Sequence, residues 1–139
     1  MIESQEKVLD GQFARDGAPN PYWWQRLFAT IDGADGAGFV EFLTPDAQFR
    51  FGNAPAVQGT AAILAAVTGF FASIRTSQHQ LLGSWDAQES AGCEGEVTYT
   101  RHDGSVVRYP FANVFKLRGE KISSYRIYID VSTLFSLPA

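Results

Sequence analysis

His79 is one of few side chains in this chain that could do acid–base chemistry inside an apolar site. The chain has two histidines. In "SQHQLLGSW", residues 77–85, His79 shares one face of a predicted strand with Leu81, Gly83 and Trp85. An imidazole in such a place is either a buried structural residue or a general base that faces a ligand. The sequence leaves both interpretations open.

Asn113 is a second candidate for contact with a ligand. It lies between Phe111 and Phe115 in the alternating segment "SVVRYPFANVFKL". A buried amide flanked by aromatic rings needs a hydrogen-bond partner, which is either a ligand oxygen or neighbouring backbone.

Glu94 and Glu96 are two residues apart in "CEGEV", so they share a face of a strand. If the Asp-Gly of "RHDGS" forms a two-residue hairpin loop, Glu96 lies opposite Phe111 and Glu94 lies opposite Asn113. The two glutamates are then either an acid/base pair or charges on the rim of a site, and we favour the rim. A one-residue bulge would turn both of them outward.

The elements that must position these residues change character near residue 76. Before it, helical periodicity occurs in "YWWQRLFATID", "GFVEFL" and "AAILAAVTGFFASI". After it, four segments alternate with period two and are separated by short turns. Helices followed by an antiparallel meander predict an α+β fold. We expect a curved antiparallel sheet from about residue 46, forming a cone-like half barrel closed by three N-terminal helices.

Length and composition limit the possible partners. Residues 1–19 predict a polar arm and residues 20–139 a single domain. A net charge of −4 without a Lys/Arg cluster argues against nucleic-acid and membrane partners. The one cysteine, Cys93, has no metal-ligand pattern around it, so we expect no metal site. We also expect no cofactor. The charged N-terminal segment lacks a secretory pattern, and we expect a cytoplasmic protein.

Four stretches of the chain resemble the SnoaL-like branch of the nuclear transport factor 2 superfamily. They are "IDGADGAGFVEFLTPDAQFRFG", "VQGTAAI", "SQHQLLGSW" and "PFANVFKLRGEKISSYRIYID", and their order and spacing extend the resemblance over about residues 22–135. The resemblance implies the cone-shaped fold. It does not imply one reaction, because this scaffold hosts isomerases, dehydratases, epoxide hydrolases, cyclases and binding domains.

Two groups within the superfamily match poorly at their catalytic positions. The steroid isomerase residues fall on Leu27, Phe51 and Asn113, of which two are apolar. The last-strand Asp of SnoaL-type cyclases and limonene epoxide hydrolases falls on Ile127. The Arg-x-Asp pair of the epoxide hydrolases falls on "CEGEV", which has no Arg. The resemblance therefore does not transfer these mechanisms.

Scytalone dehydratase and hexachlorocyclohexane dehydrochlorinase are more similar. Their Asp at the end of the first helix corresponds to Asp32, and their His at the start of the third strand corresponds to His79. A polar residue with which the dehydratase holds its substrate corresponds to Asn113. The two pocket tyrosines of the dehydratase fall on Ile31 and Phe51, so its substrate does not transfer. The resemblance implies a carboxylate–imidazole dyad in which Asp32 orients His79 as general base.

These observations together predict a cofactor-independent lyase, isomerase or cyclase that acts on a small, mostly apolar, cyclic or aromatic oxygenated molecule. The alternative is a non-catalytic module of the same fold that binds a small hydrophobe or joins subunits. The predicted substrate-binding residues are Asn113, Trp23, Phe28, Phe51, Trp85, Phe111, Tyr125 and Ile127. We also expect a homodimer through an outer sheet face made by Ala112, Val114, Val97 and Tyr99.

Overall fold

The computed structural model describes residues 21–135, which contain three helices and six strands. The predicted arm, residues 1–19, lies outside the described residues. The helices are α1 (Pro21–Asp32), α2 (Gly36–Val40) and α3 (Thr60–Ser73). The strands are β1 (Leu43–Phe51), β2 (Val57–Gln58), β3 (Thr76–Ala87), β4 (Ser90–Thr100), β5 (Val106–Arg118) and β6 (Lys121–Tyr128).

All six strands form one curved, unclosed sheet in the order β2-β1-β6-β5-β4-β3. The predicted α+β class is confirmed, with two differences in detail. The sheet begins at Leu43, earlier than residue 46, and β1 pairs with β6 in parallel while the other neighbours are antiparallel. The chain reaches β6 from β1 only after α3 and four other strands, so this pair is not constrained by a hairpin to run antiparallel.

The amphipathic helix α1 brings Asp32 to the sheet. Trp23, Trp24, Leu27 and Phe28 are buried, and the residues between them face solvent. This helical spacing docks α1 against the core. The helix ends at Asp32, because the chain turns there with Ala34 at a positive φ of 56°. A carboxylate is thereby fixed at the end of a packed helix.

The hairpin between β4 and β5 has a longer loop than predicted. The Arg101 N–H donates to the Ser105 carbonyl at 2.8 Å, so three residues form the loop, and Gly104 takes a φ of +90°. Glu96 therefore pairs with Pro110 and Glu94 with Ala112. The register differs by one residue from that of a two-residue loop, so the alternative in which both glutamates lie on the outer face is the one that the structure shows.

The same one-residue difference corrects the predicted outer face. Val97 and Tyr99 lie inside rather than outside, and both are buried. Ala112 and Val114 point outward as expected.

A bulge in β3 corrects a second prediction. The pairing of β3 with β4 shifts between Leu81 and Gly83. Beyond this bulge Trp85 faces away from the cavity, with half of its side chain exposed and its ring over Gly92. Trp85 is therefore not a cavity residue, because an extra residue in one strand inverts its alternation.

Candidate active site

Asp32 at the end of α1 and His79 near the start of β3 form the centre of the site. Nδ1 of His79 lies 2.6 Å from Oδ1 of Asp32, so the predicted hydrogen bond is present. The backbone N–H of His79 donates to Oδ2 at 2.9 Å, and the Ser77 hydroxyl donates to Oδ1 at 2.9 Å. Three hydrogen bonds from one strand thus fix the carboxylate against the imidazole.

The electrostatics of Asp32 determine the tautomer of His79. Burial alone would raise the pKa of Asp32, but the hydrogen bonds and charge of His79, together with the Ser77 hydroxyl, lower the pKa below its ordinary value of 3.8. Asp32 is therefore ionised at neutral pH and accepts a hydrogen bond from the Nδ1–H group of His79. Nε2 is left as the basic nitrogen, and no described residue forms a hydrogen bond with it.

A cavity of about 210 Å³ lies between the sheet and the helices, and His79 contributes to its wall. The ring of His79 packs against Phe28 and Phe111, with centroid distances of 4.8 and 5.3 Å. A cavity below the usual size range for drug-sized ligands suits a small molecule. On the other side of the dyad, a surface groove lined by Trp24, Gln25 and Leu81 reaches Asp32 and His79.

Only four of the described cavity residues have polar side chains: His79, Tyr99, Asn113 and Tyr125. Asn113 is 2% exposed, and its Oδ1 has no hydrogen-bond partner among the described residues. A buried, unpaired amide oxygen is costly unless a ligand or a water molecule donates a hydrogen bond to it.

The structure brings most of the predicted binding residues to the cavity. Phe28, Phe51, Phe111, Asn113, Tyr125 and Ile127 contribute to its wall. Trp23 does not, because its ring packs in the core against Trp24, Phe42 and Phe115. Trp85 lies on the outer face, and so do Glu94 and Glu96. On that face, Oε1 of Glu96 lies 3.8 Å from Nη1 of Arg108.

Sequence reasoning missed Tyr99 as a cavity residue. The error comes from the hairpin register, since the two-residue loop would assign Tyr99 to the outer face. The pattern that could have identified Tyr99 is the two-residue alternation of β4, because every second residue is buried: Cys93, Gly95, Val97 and Tyr99. Burial raises the pKa of the Cys93 thiol to about 12, so that residue is not a nucleophile at neutral pH.

The family profile of the SnoaL-like domain matches residues 24–125. This chain belongs to the SnoaL-like domain family. The matched segment contains α1 from residue 24 onward, the dyad and every strand up to the middle of β6. No curated protein matches the chain significantly in sequence.

Solved structures share the fold at low sequence identity. A hypothetical protein with a ketosteroid isomerase-like fold from Catenulispora acidiphila, in complex with trimethylamine, is 17% identical with a TM-score of 0.77, covering 85% of this chain and 95% of its own. A candidate polyketide cyclase from Xanthomonas campestris is 18% identical, with a TM-score of 0.73. The match covers 81% of this chain and 91% of the cyclase. TerC, co-crystallised with polyporic acid, is 14% identical, with a TM-score of 0.72. The match covers 82% of this chain and 93% of TerC.

Among residues 21–135 no helix is long and apolar enough to cross a membrane. The same residues contain no group of three or more side chains with the geometry to hold a metal ion.

Proposed function

We propose that this SnoaL-like protein is a cofactor-independent enzyme of the lyase, isomerase or cyclase type. His79 acts as general base, Asp32 orients it, and the substrate is a small, mostly apolar, cyclic or aromatic oxygenated molecule. The observation that carries the proposal is the position of His79. One ring nitrogen is held by an ionised carboxylate, and the ring contributes to the wall of an otherwise apolar cavity.

The chemistry follows from the two ring nitrogens. In a ketone, Nε2 of His79 would take a proton from the carbon next to the carbonyl. The electron pair of the broken C–H bond would move to the carbonyl, giving an enolate. Asp32 would stabilise the imidazolium that forms, as the third member of a catalytic triad does. The ring of His79, which is 10% exposed, also borders the surface groove, and water from that groove would exchange the proton on Nε2.

The ligand must also suit Asn113. Because its unpaired atom is an acceptor, a hydroxyl or N–H group on the ligand would satisfy it. An oxygenated ring with both a carbonyl and a hydroxyl supports both contacts. The trimethylamine and polyporic acid in two similar structures support a small organic occupant.

The second candidate function is a binding module that holds the same class of molecule without chemistry. It is favoured by the apolar wall, which can retain a hydrophobe without using the dyad. In that case the contact of Asp32 with His79 would only hold α1 on the sheet.

Exchange of carbon-bound protons distinguishes the two functions. The enzyme is mixed with 2-tetralone in heavy water, and loss of the α-proton signals is followed by NMR. We expect wild type to accelerate the exchange and His79→Ala to exchange no faster than buffer. A His102→Ala variant is the matched control, because the second histidine lies in the β4–β5 loop and bonds to the Ala72 carbonyl. Equal rates for wild type and His79→Ala, with 2-tetralone binding verified, would favour the binding module.

We further propose that the protein is a homodimer joined through the outer face of the sheet. Three large apolar side chains, Trp85, Val114 and Tyr128, are 39–54% exposed, and the strand pairing places them on this face. The cytoplasm is the proposed compartment, because the one cysteine is a free, buried thiol.

A further inference from the structure

We propose that Tyr99 is a catalytic residue that donates a hydrogen bond to the substrate oxygen on which negative charge develops. This inference rests on the proposed function and assigns the partner of His79 in it. The phenol of Tyr99 would supply this donor from β4.

The strand pairing places Tyr99 beside the dyad. On β4, Val97 pairs with His79, and Tyr99 pairs with Ser77. Ser77 is the residue whose hydroxyl binds the dyad carboxylate. Tyr99 is thus the diagonal neighbour of His79 on the inner face, and the Cα atoms of diagonal neighbours are about 7–8 Å apart. A small ring in the cavity can contact both side chains.

The Tyr99 hydroxyl lacks a protein partner among the described residues. Tyr99 is 3% exposed and contributes to the cavity wall. Its ring is held by Phe70 and Tyr109, at centroid distances of 5.6 and 6.1 Å. The hydroxyl itself is not one of the fully enclosed atoms that lack a partner, and a ligand oxygen in the cavity would accept its hydrogen bond.

Tyr109 offers a direct contrast with Tyr99. It is also buried in the sheet, but it is absent from the cavity wall, and its hydroxyl lies 2.7 Å from the Thr133 hydroxyl. Of the two neighbouring tyrosines, only Tyr99 has a hydroxyl available to a ligand in the cavity.

The protonation state of Tyr99 suits a hydrogen-bond donor. Burial, and then the charge of Asp32, raise the pKa of Tyr99 above its ordinary value. The phenol therefore keeps its proton at neutral pH. When Nε2 takes the α-proton and the electron pair reaches the carbonyl oxygen, the phenol would stabilise that oxygen without transferring its proton.

The first test uses Tyr99→Phe with Tyr109→Phe as the matched control, since each variant removes one hydroxyl from a buried tyrosine. Exchange of the 2-tetralone α-protons in heavy water is the readout. We expect Tyr99→Phe to lose about 10²-fold in rate, which is typical for loss of one donor to an oxyanion. We expect Tyr109→Phe to keep the wild-type rate. A full rate in Tyr99→Phe, or a loss confined to a Tyr125→Phe variant, would overturn the proposal.

The second test does not need the reaction. Binding of 2-tetralone is compared with binding of tetralin, which has the same ring system without the carbonyl. We expect Tyr99→Phe to weaken binding of the ketone and leave that of the hydrocarbon unchanged. Equal effects on both ligands would overturn the proposal even if His79 proved to be the base. If wild type binds the ketone selectively but does not exchange its protons, the proposed function fails and Tyr99 still stands as the oxygen-binding donor.

Discussion

At the scale of single residues, the site depends on how Asp32 is held. A half-buried carboxylate at the end of a helix would lose solvation on folding, and three hydrogen bonds from Ser77 and His79 compensate for that loss. The same bonds fix the tautomer of His79, so stability and the proposed catalysis depend on one ionised group.

Asp32→Asn should therefore change the pH dependence of stability. The folded pKa of Asp32 is lower than its unfolded value of 3.8, so the folded state binds fewer protons. The ionised group stabilises the fold above pH 3.8, and this contribution is lost as the pH falls through the folded pKa. The difference in unfolding free energy between wild type and Asp32→Asn should be largest near neutral pH and shrink below pH 4.

Urea denaturation at several pH values measures this difference. Asp86→Asn is a suitable control, because Asp86 is an exposed carboxylate on the same strand as His79. A gap between wild type and Asp32→Asn that stays constant down to pH 2 would contradict the expectation.

At the scale of elements, the β3–β4 pair decides which side chains reach the cavity. Gly95 lies opposite the bulge in β3, and a Cβ at this position would collide with the backbone carbonyl of Gln80. Glycine is required there because two backbones approach closely. The bulge and Gly95 together separate the inward His79 from the outward Trp85.

Two glycine-to-alanine changes should have opposite effects on stability. Gly95→Ala should lower the unfolding free energy by about 1–3 kcal/mol, because the backbone at Gln80 and Leu81 must move to admit the methyl group. Gly69→Ala should raise it by about 1 kcal/mol, because Gly69 lies inside α3 and a Cβ there would meet nothing within 4 Å. Thermal and chemical denaturation of the two variants measure both effects. A Gly95→Ala variant as stable as wild type would show that the bulge is not held by this contact.

At the scale of the whole molecule, the curved sheet has two different faces. Its concave face and the helices enclose the apolar cavity, and its outer face carries Trp85, Val114 and Tyr128 among charged neighbours. An apolar patch on an exposed sheet face is the basis for the proposed dimer.

Val114→Lys should therefore give a monomer, because it places a charge at the centre of that patch. Val106→Lys is the matched control. Val106 is an exposed valine of the same strand, about 27 Å from Val114 along it. Light scattering at micromolar concentration should give roughly twice the 15.3 kDa chain mass for wild type and the control. A wild-type chain that scatters as a monomer would show that the dimer proposal is wrong.

The sequence alone determined the order of the elements and the class of the fold. Helical periodicity before residue 76 and two-residue alternation after it are local properties, and each persists over enough residues to be recognised. The contact of Asp32 with His79 and the place of Asn113 at the cavity were also predicted before the structure, Asp32 only through the family resemblance. Asp32 lies at the end of α1, His79 near the start of β3 and Asn113 in the middle of β5. These places along the elements do not change when the pairing of β4 with β5 shifts by one residue.

The tertiary structure decided which side chains of the central strands face the cavity. A loop of three residues instead of two, and one extra residue in β3, involve small energy differences that local sequence does not resolve. Each inverts the side chains that follow, because strand alternation has a period of two residues. Trp85 was therefore assigned to the wrong face, and the face of Glu94 and Glu96 was left open. Tyr99 was identified as a cavity residue only when the strands were paired.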